Sequence, residues 1–451
     1  MEVRWGRQPA QNAAMTDPDN ARTYRFRDIL SSRADASRYA AILGLQMGQA
    51  LPVSFIGLML PMVFREQGLP LAQMFVFSLP SIPVWLRPLW APFVDRTGSR
   101  KFGMRKTWFV PCTLMAAAAY LAMSMVAPEL ESLHLMIMLL VVANTIITTQ
   151  DIAIDGYMVE NIQDRERPVA GAVLDIARNT GMFISWAGLG LVYREFGWTA
   201  ATGSAAVLLI LFSLPGMLRR EPVRAAQQFG PPPSLKRLFG RSDNRVILPT
   251  CFAIALFASL LPYLYPTFLI DVGFSAGDVA IIAGPATLLG TLFGATLASL
   301  LLRRFGYRAT FLMGAVSVVL AVFPIVWLAN HPDPKAWMVF LVTLQGLALP
   351  SLFDVTFQAA RLKWASKAQP ATDYTAQLVA MRAGASLAVA VGGVLAAAVG
   401  WPVYFIITGI CVSGVCLAMY FAYDRIEMLV DDRAAQEQRE VESNRLAAQV
   451  G

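Results

Sequence analysis

The sequence predicts an all-α membrane protein, with twelve transmembrane helices in two six-helix pseudo-repeated bundles. Three observations carry that prediction: an apolar excess, the spacing of the apolar runs, and the one-sided placement of the basic residues. The chain has 451 residues, 56% apolar and 15% charged, with a mean hydropathy of +0.52. A soluble domain runs about 45–50% apolar and about 25% charged. The surplus exceeds what one soluble core absorbs and calls for a lipid solvent. It excludes a soluble enzyme, a disulfide scaffold and a disordered chain.

Apolar runs fall at 39–63, 71–94, 107–127, 134–158, 168–193, 198–218, 246–270, 276–302, 309–329, 336–360, 373–399 and 402–422. Each is long enough to cross a bilayer core as a helix. None keeps the period-two alternation of a barrel strand.

Loop charge fixes the expected orientation. If the N-terminus is cytoplasmic, 31 of the 37 Lys and Arg residues lie on that side and 3 on the other. Three more, Arg87, Arg178 and Arg382, lie inside spans. Positive residues are retained on the cytoplasmic side, so both termini are expected there, in an inner-membrane protein. The same rule accounts for the net +7 without nucleic acid.

The expected division is a cytoplasmic tail (1–38), a first bundle (39–218), a Pro-rich linker (219–245), a second bundle (246–422) and a charged cytoplasmic tail (423–451). The first 38 residues carry seven basic and five acidic groups and no apolar run preceding a cleavage site. The linker holds Arg219-Arg220-Glu221-Pro222 and Pro231-Pro232-Pro233 and reads as a semi-rigid spacer. The halves repeat weakly: Gly197-Trp198 recurs as Gly400-Trp401, Asp151 falls onto Asp354, and Arg178 falls beside Arg382. Parallel repeats of this kind are a transporter architecture. Cys112, Cys251, Cys411 and Cys416 lie in apolar runs without zinc spacing, and His134 and His331 are the only histidines. No metal site and no cofactor is expected.

Ionisable groups inside a membrane are costly and mark function. Four carboxylates (Asp151, Asp155, Asp175, Asp354) stand against three arginines within the spans. In Thr149-Gln150-Asp151-Ile152-Ala153-Ile154-Asp155-Gly156, the two aspartates are four apart and share a helix face. Two like charges so placed resist joint ionisation, which suits proton exchange. Asp151 lies about 12 Å and Arg178 about 15 Å inside the cytoplasmic edges of their spans by helix rise, so they are expected to pair. Asp354 and Arg382 are expected to repeat the pair, while Asp155 has no evident arginine. The proton-coupling set is Asp151, Asp155, Arg178, Asp354 and Arg382. A fixed ion pair that only locks helices is the bland alternative, and a poor stability device. A second set, Asp95, Arg96, Gly98, Arg100 and Arg105, follows span 2 and suits a gate that grips a helix terminus.

At these residues the chain resembles a family. Asp95-Arg96-x-Gly98 followed by basic residues resembles the span 2–3 signature of the major facilitator superfamily, with a worn copy at Arg303-Arg304-Phe305-Gly306-Tyr307-Arg308. Leu89-Trp90-Ala91-Pro92-x-x-Asp95-Arg96 and Thr149-Gln150-Asp151-Ile152-Ala153-x-Asp155 resemble the AmpG-related group, which includes muropeptide permeases and RhtX/FptX-type siderophore permeases. Thr97, Ser99 and Gly156 tilt the resemblance toward the siderophore branch. Met158 and Arg87 depart from the muropeptide pattern.

The resemblance implies a major facilitator fold with a central cavity open alternately to each side. Gln46, Gln49, Asn144, Gln150, Tyr263, Tyr265 and Gln345 are expected to line it, each with an alternative role as a helix–helix tie. The function expected is a proton-coupled symporter, acting as a monomer, that imports an organic solute, chiefly a siderophore or its metal complex. An AmpG-type muropeptide permease is the alternative. An ATP-driven pump lacks its phosphate loop. An intramembrane aspartyl-type enzyme is the distant alternative, since its two acids usually come from separate helices.

Overall fold

The computed structural model describes residues 32–99, 101–162, 167–221, 240–365 and 370–450. Among the described residues there are helices and one isolated bridge, Ser99 to Gly103, but no strand. Nine helical stretches there are long and apolar enough to cross a membrane. Two of them, Ile176–Leu218 and Ala276–Ala329, contain a chain reversal, at Gly197 (φ 81°) and Gly306 (φ 76°). Leu71–Arg96, which contains the expected second span 71–94, lies outside those nine. It runs as a 3-10 helix to Ser81, then as α-helix.

The helices used below are α1 (Arg33–Ser54), α2 (Leu60–Glu66), α3 (Ile82–Arg96), α4 (Lys106–Ser124), α5 (Leu133–Asn161), α6 (Arg167–Phe183), α7 (Leu189–Leu218), α8 (Ser242–Asp271), α9 (Ala276–Ala329), α10 (Ala336–Ala348), α11 (Ser351–Trp364), α12 (Pro370–Val399) and α13 (Trp401–Val450). Pro350 splits α10 from α11 inside one span. The expected C-terminal tail is a continuation of α13 as far as Val450.

The repeat suspected from the sequence is visible in the backbone. Every positive-φ residue described is a glycine, and those of the first half recur in the second at matching turns: Gly68 with Gly273, Gly103 with Gly306, Gly197 with Gly400. The Gly-Trp repeat is therefore a repeated helix reversal. At Gly197 and Gly400 the left-handed conformation turns the chain from one helix into the next, where a side chain would be strained.

Two π-helical turns face each other, Phe55–Met59 after α1 and Ile184–Gly188 after α6. Pro52 supplies no N–H, and hydroxyls answer the loosened carbonyls nearby: Ser185 Oγ donates to Leu51 O at 2.8 Å and Ser54 Oγ to Met182 O at 3.4 Å. Such turns recur at functional sites. Large apolar side chains on the outside, such as Leu89 at 78% and Phe323 at 69% exposure, form the face a bilayer covers.

Candidate functional site

Contacts between the halves close one end of the molecule. Arg65, near the end of α2, holds Asp271 at the end of α8 through two bonds, Nε–Oδ1 at 2.5 Å and Nη2–Oδ2 at 3.0 Å. Trp401 Nε1 donates to the same carboxylate at 2.8 Å. Arg194 reaches Asp278 at 3.1 Å, and Glu66 accepts from the Ala276 amide at 3.4 Å. Small residues bring the halves together just inside this seal, with Gly190 against Ala280 and Gly284 against Ala187. At the opposite end the pairs Arg105–Glu160, Arg241–Asp373, Arg433–Asp243 and Arg308–Asp424 each stay within one half. The halves are thus joined at the end bearing Asp271 and separately braced at the other.

Inward from the seal lies a cavity of about 230 Å³ walled by Ser54, Trp186, Pro262, Tyr263, Tyr265 and Thr343. A neighbouring cavity of about 150 Å³ shares Ser54, Leu58, Met182, Trp186 and Thr287. Both sit at the π-turns. Tyr265 Oη and Thr343 Oγ1 lie 3.0 Å apart and satisfy each other, so the wall is largely apolar. Tyr263 and Tyr265 are the two predicted cavity residues that line it. Asn144 donates to the Pro80 carbonyl, Gln150 to Thr113 Oγ1 at 2.6 Å, and Gln345 to Leu320 O at 2.9 Å. Those three side chains tie neighbouring helices. The amide N–H of each finds an acceptor one helix away, while the Gln345 Oε1 is buried without a partner among the described residues.

Further from the seal is a belt of charge. Gln49 Nε2 donates to Asp155 Oδ1 at 3.2 Å, and Arg87 Nη2 donates to Asp155 Oδ2 at 2.5 Å. The Asp155 side chain is 47% exposed, so this pair opens onto the space between the helices. Behind it, Ile152 and Ile154 are buried against α1 and α4. Asp151 Oδ1 is buried and has no hydrogen-bond partner among the described residues. Asp155, Arg87 and Arg382 are all within its electrostatic reach.

The expected partnerships are corrected here. Arg178 is held by Gln46, whose carbonyl oxygen, with the amide turned to suit, accepts from Nε at 2.9 Å and Nη2 at 3.0 Å. It is therefore not the partner of Asp151. Arg382, on the second half, acts on Asp151 across the cleft, whereas Asp354 feels Arg361 on its own helix. Asp155, expected to lack an arginine, has Arg87. The structure turns Arg178, on α6, toward α1, and rotation about the helix axis is what rise alone cannot supply.

At the far end of the first half, the gate set is partly described. The side chains of Asp95 and Arg96, and all of Arg100, lie outside the described residues. Gly98 packs on the backbone of Met104. Arg105 donates through Nε at 3.1 Å and Nη2 at 2.8 Å to Glu160 Oε1. Its backbone N–H at 3.1 Å and that of Lys106 at 3.2 Å donate to the Glu221 carboxylate, which caps α4. A Cβ on Gly156 would overlap the Arg105 guanidinium, and one on Gly103 would overlap Glu221. Glu160, Glu221 and the Arg65–Asp271 seal escaped sequence reasoning, since nothing local distinguishes a helix-end carboxylate with a distant partner.

A sequence profile of the Major Facilitator Superfamily matches residues 42–331 and 286–448. The putative transporter AmpG 4 of Rickettsia conorii is 24% identical over 325 residues, 68% of this chain and 77% of that protein. The anhydromuropeptide permease of Escherichia coli K12 is 28% identical over 286 residues, 61% of this chain and 58% of that protein. Among solved structures, the nucleoside transporter NupG aligns with a TM-score of 0.62 at 16% identity, covering 86% of this chain and 98% of that one. A bacterial homolog of the human lysosomal transporter Spinster, inward-facing and occupied, aligns with 0.60 at 15%, covering 90% and 97%. The last two likenesses concern the fold alone.

Proposed function

Because this chain belongs to the major facilitator superfamily, and is a multi-pass membrane transporter rather than an enzyme, we propose that it imports an anhydromuropeptide-like sugar–peptide coupled to protons. The siderophore branch expected from Thr97, Ser99 and Gly156 gives way, because the relatives above carry AmpG and anhydromuropeptide names. Gly156 has a packing reason, room for Arg105, and so says nothing about substrate.

The observation that carries the coupling is the Asp151 carboxylate, whose Oδ1 is buried and unpartnered among the described residues, beside Asp155. A proton on Asp151 neutralises the carboxylate with its unpartnered oxygen and removes the attraction to Arg382 across the cleft. Its loss restores that attraction and draws the open ends of the halves together. A membrane potential contributes about 2.3 kcal/mol per charge per 100 mV. That biases a two-state equilibrium about fiftyfold. An apolar aromatic cavity beside a charged belt suits a solute with a sugar face and an ionic peptide end. The proposal includes a monomer in the inner membrane with both termini cytoplasmic, from the basic-residue split.

The test is uptake of labelled anhydro-disaccharide peptide into proteoliposomes under an imposed pH gradient. Wild type accumulates it uphill. Asp151→Asn loses accumulation and keeps counterflow exchange. Absent uptake by wild type refutes the substrate, and unchanged pH-driven accumulation in Asp151→Asn refutes the coupling site.

A further inference from the structure

The geometry points to Arg178 and Arg382 as a two-part carboxylate-binding site that holds an acidic organic solute between the halves. The inference rests on the transporter reading and adds the chemistry that the substrate must carry.

Both side chains are placed on the cleft. Arg178 lies on one helical stripe with Met182 and Trp186, at i+4 and i+8, and both of those are cavity walls. Arg382 lies about three turns from Gly393 on the same face of α12. Gly393 packs against Leu71 and Met74 of the first half, so that face looks across the cleft. Both arginines are exposed.

Among the described residues, neither is neutralised by a carboxylate at hydrogen-bond distance. Arg178 has a neutral amide, Gln46. That amide takes the Nε and Nη2 edge and fixes the guanidinium plane, leaving the Nη1 edge for a second, bidentate acceptor. Arg382 has Asp151 within electrostatic reach, while Arg87 already occupies Asp155. Once Asp151 takes a proton, two guanidinium charges stand in the membrane interior with no carboxylate at hydrogen-bond distance among the described residues, a costly arrangement. Carboxylates on the solute supply the missing charges. Proton and acid then enter together, each making room for the other.

The test measures quenching of tryptophan fluorescence and thermal stabilisation of the purified full chain. The probes are N-acetyl dipeptides and anhydro-disaccharide peptides, each with free and with amidated carboxyls. Free acids are expected to bind about ten- to a hundredfold more tightly than amides, the scale of a charge-assisted hydrogen bond. Arg178→Gln and Arg382→Gln should erase that difference, and Arg178→Lys should keep only part of it. If a variant fails to fold, the acid–amide ratio in wild type still decides. Equal binding of acids and amides overturns the inference, as does failure of every acid to bind. Arginine-dependent binding of acidic dipeptides, with none of the sugar peptides, upholds it and refutes the muropeptide reading. Sugar peptides bound equally as acid and amide give the converse.

Discussion

Removing Arg65 should open the sealed end. Its guanidinium and Asp271 are each about four-fifths buried, at 22% and 17% side-chain exposure, and share two hydrogen bonds. A hydrogen bond to a charged group contributes about 1.5–3 kcal/mol. Partial exposure and the Trp401 bond left on Asp271 reduce the net loss to about 2 kcal/mol. That is about a thirtyfold shift toward the state in which the seal is broken. A state populated at about 3% would rise to near parity with the sealed one. Spin labels at Gln67 and Asp333, exposed positions in turns at the sealed end, read the separation of the halves directly. Arg65→Ala should add a longer-distance population. Asp271→Ala should add more, because it also releases Trp401. The double variant should match Asp271→Ala, since the two residues act as one unit. Unchanged distance distributions in both single variants would show that the other contacts between the halves, not this pair, close the end.

Gly156→Ala should cut transport about tenfold by evicting Arg105, and Glu160→Gln should do the same with no further loss in the double variant; normal uptake in Gly156→Ala removes the gate from this contact. Asp155→Asn should lower stability by about 1 kcal/mol in detergent melts, because Arg87 loses one charged acceptor at a half-exposed position; an unchanged melt means that this pair adds nothing to the fold. Arg433→Ala should lower stability by about 1–3 kcal/mol while leaving solute affinity alone, since it takes one partner from the buried Asp243 at 2.7 Å; altered affinity would tie α13 to the site.

Apolar run length made the helical architecture legible, because a bilayer imposes that length on any helix that crosses it. The reversals were half legible: Gly-Trp was seen as a repeat, and only the backbone shows it as a left-handed turn. The acids of the site stood out because charge is rare inside spans. Their partners did not. Asp155 and Arg87 are far apart in sequence, and Arg382 acts on Asp151 only electrostatically, from the other half, so pairing followed helix rotation and cleft geometry. The same limit applies to Gln150 and Asn144, polar groups whose neighbours on adjacent helices decide whether they face the cavity.

The length of α13 has a mechanical consequence. At about 1.5 Å per residue, its 50 residues span about 75 Å, more than twice the hydrocarbon thickness. Its outer stretch is clamped by Arg433 to Asp243 and to the Trp364 carbonyl at 2.8 Å. The clamp makes the outer stretch a stiff extension of the second half, and so a pointer. If the second half tilts by roughly ten degrees about the bilayer centre, an exposed residue such as Gln436, about 36 Å along the helix from that centre, sweeps about 6 Å. A dye on that pointer would amplify a motion too small to follow at the cleft itself.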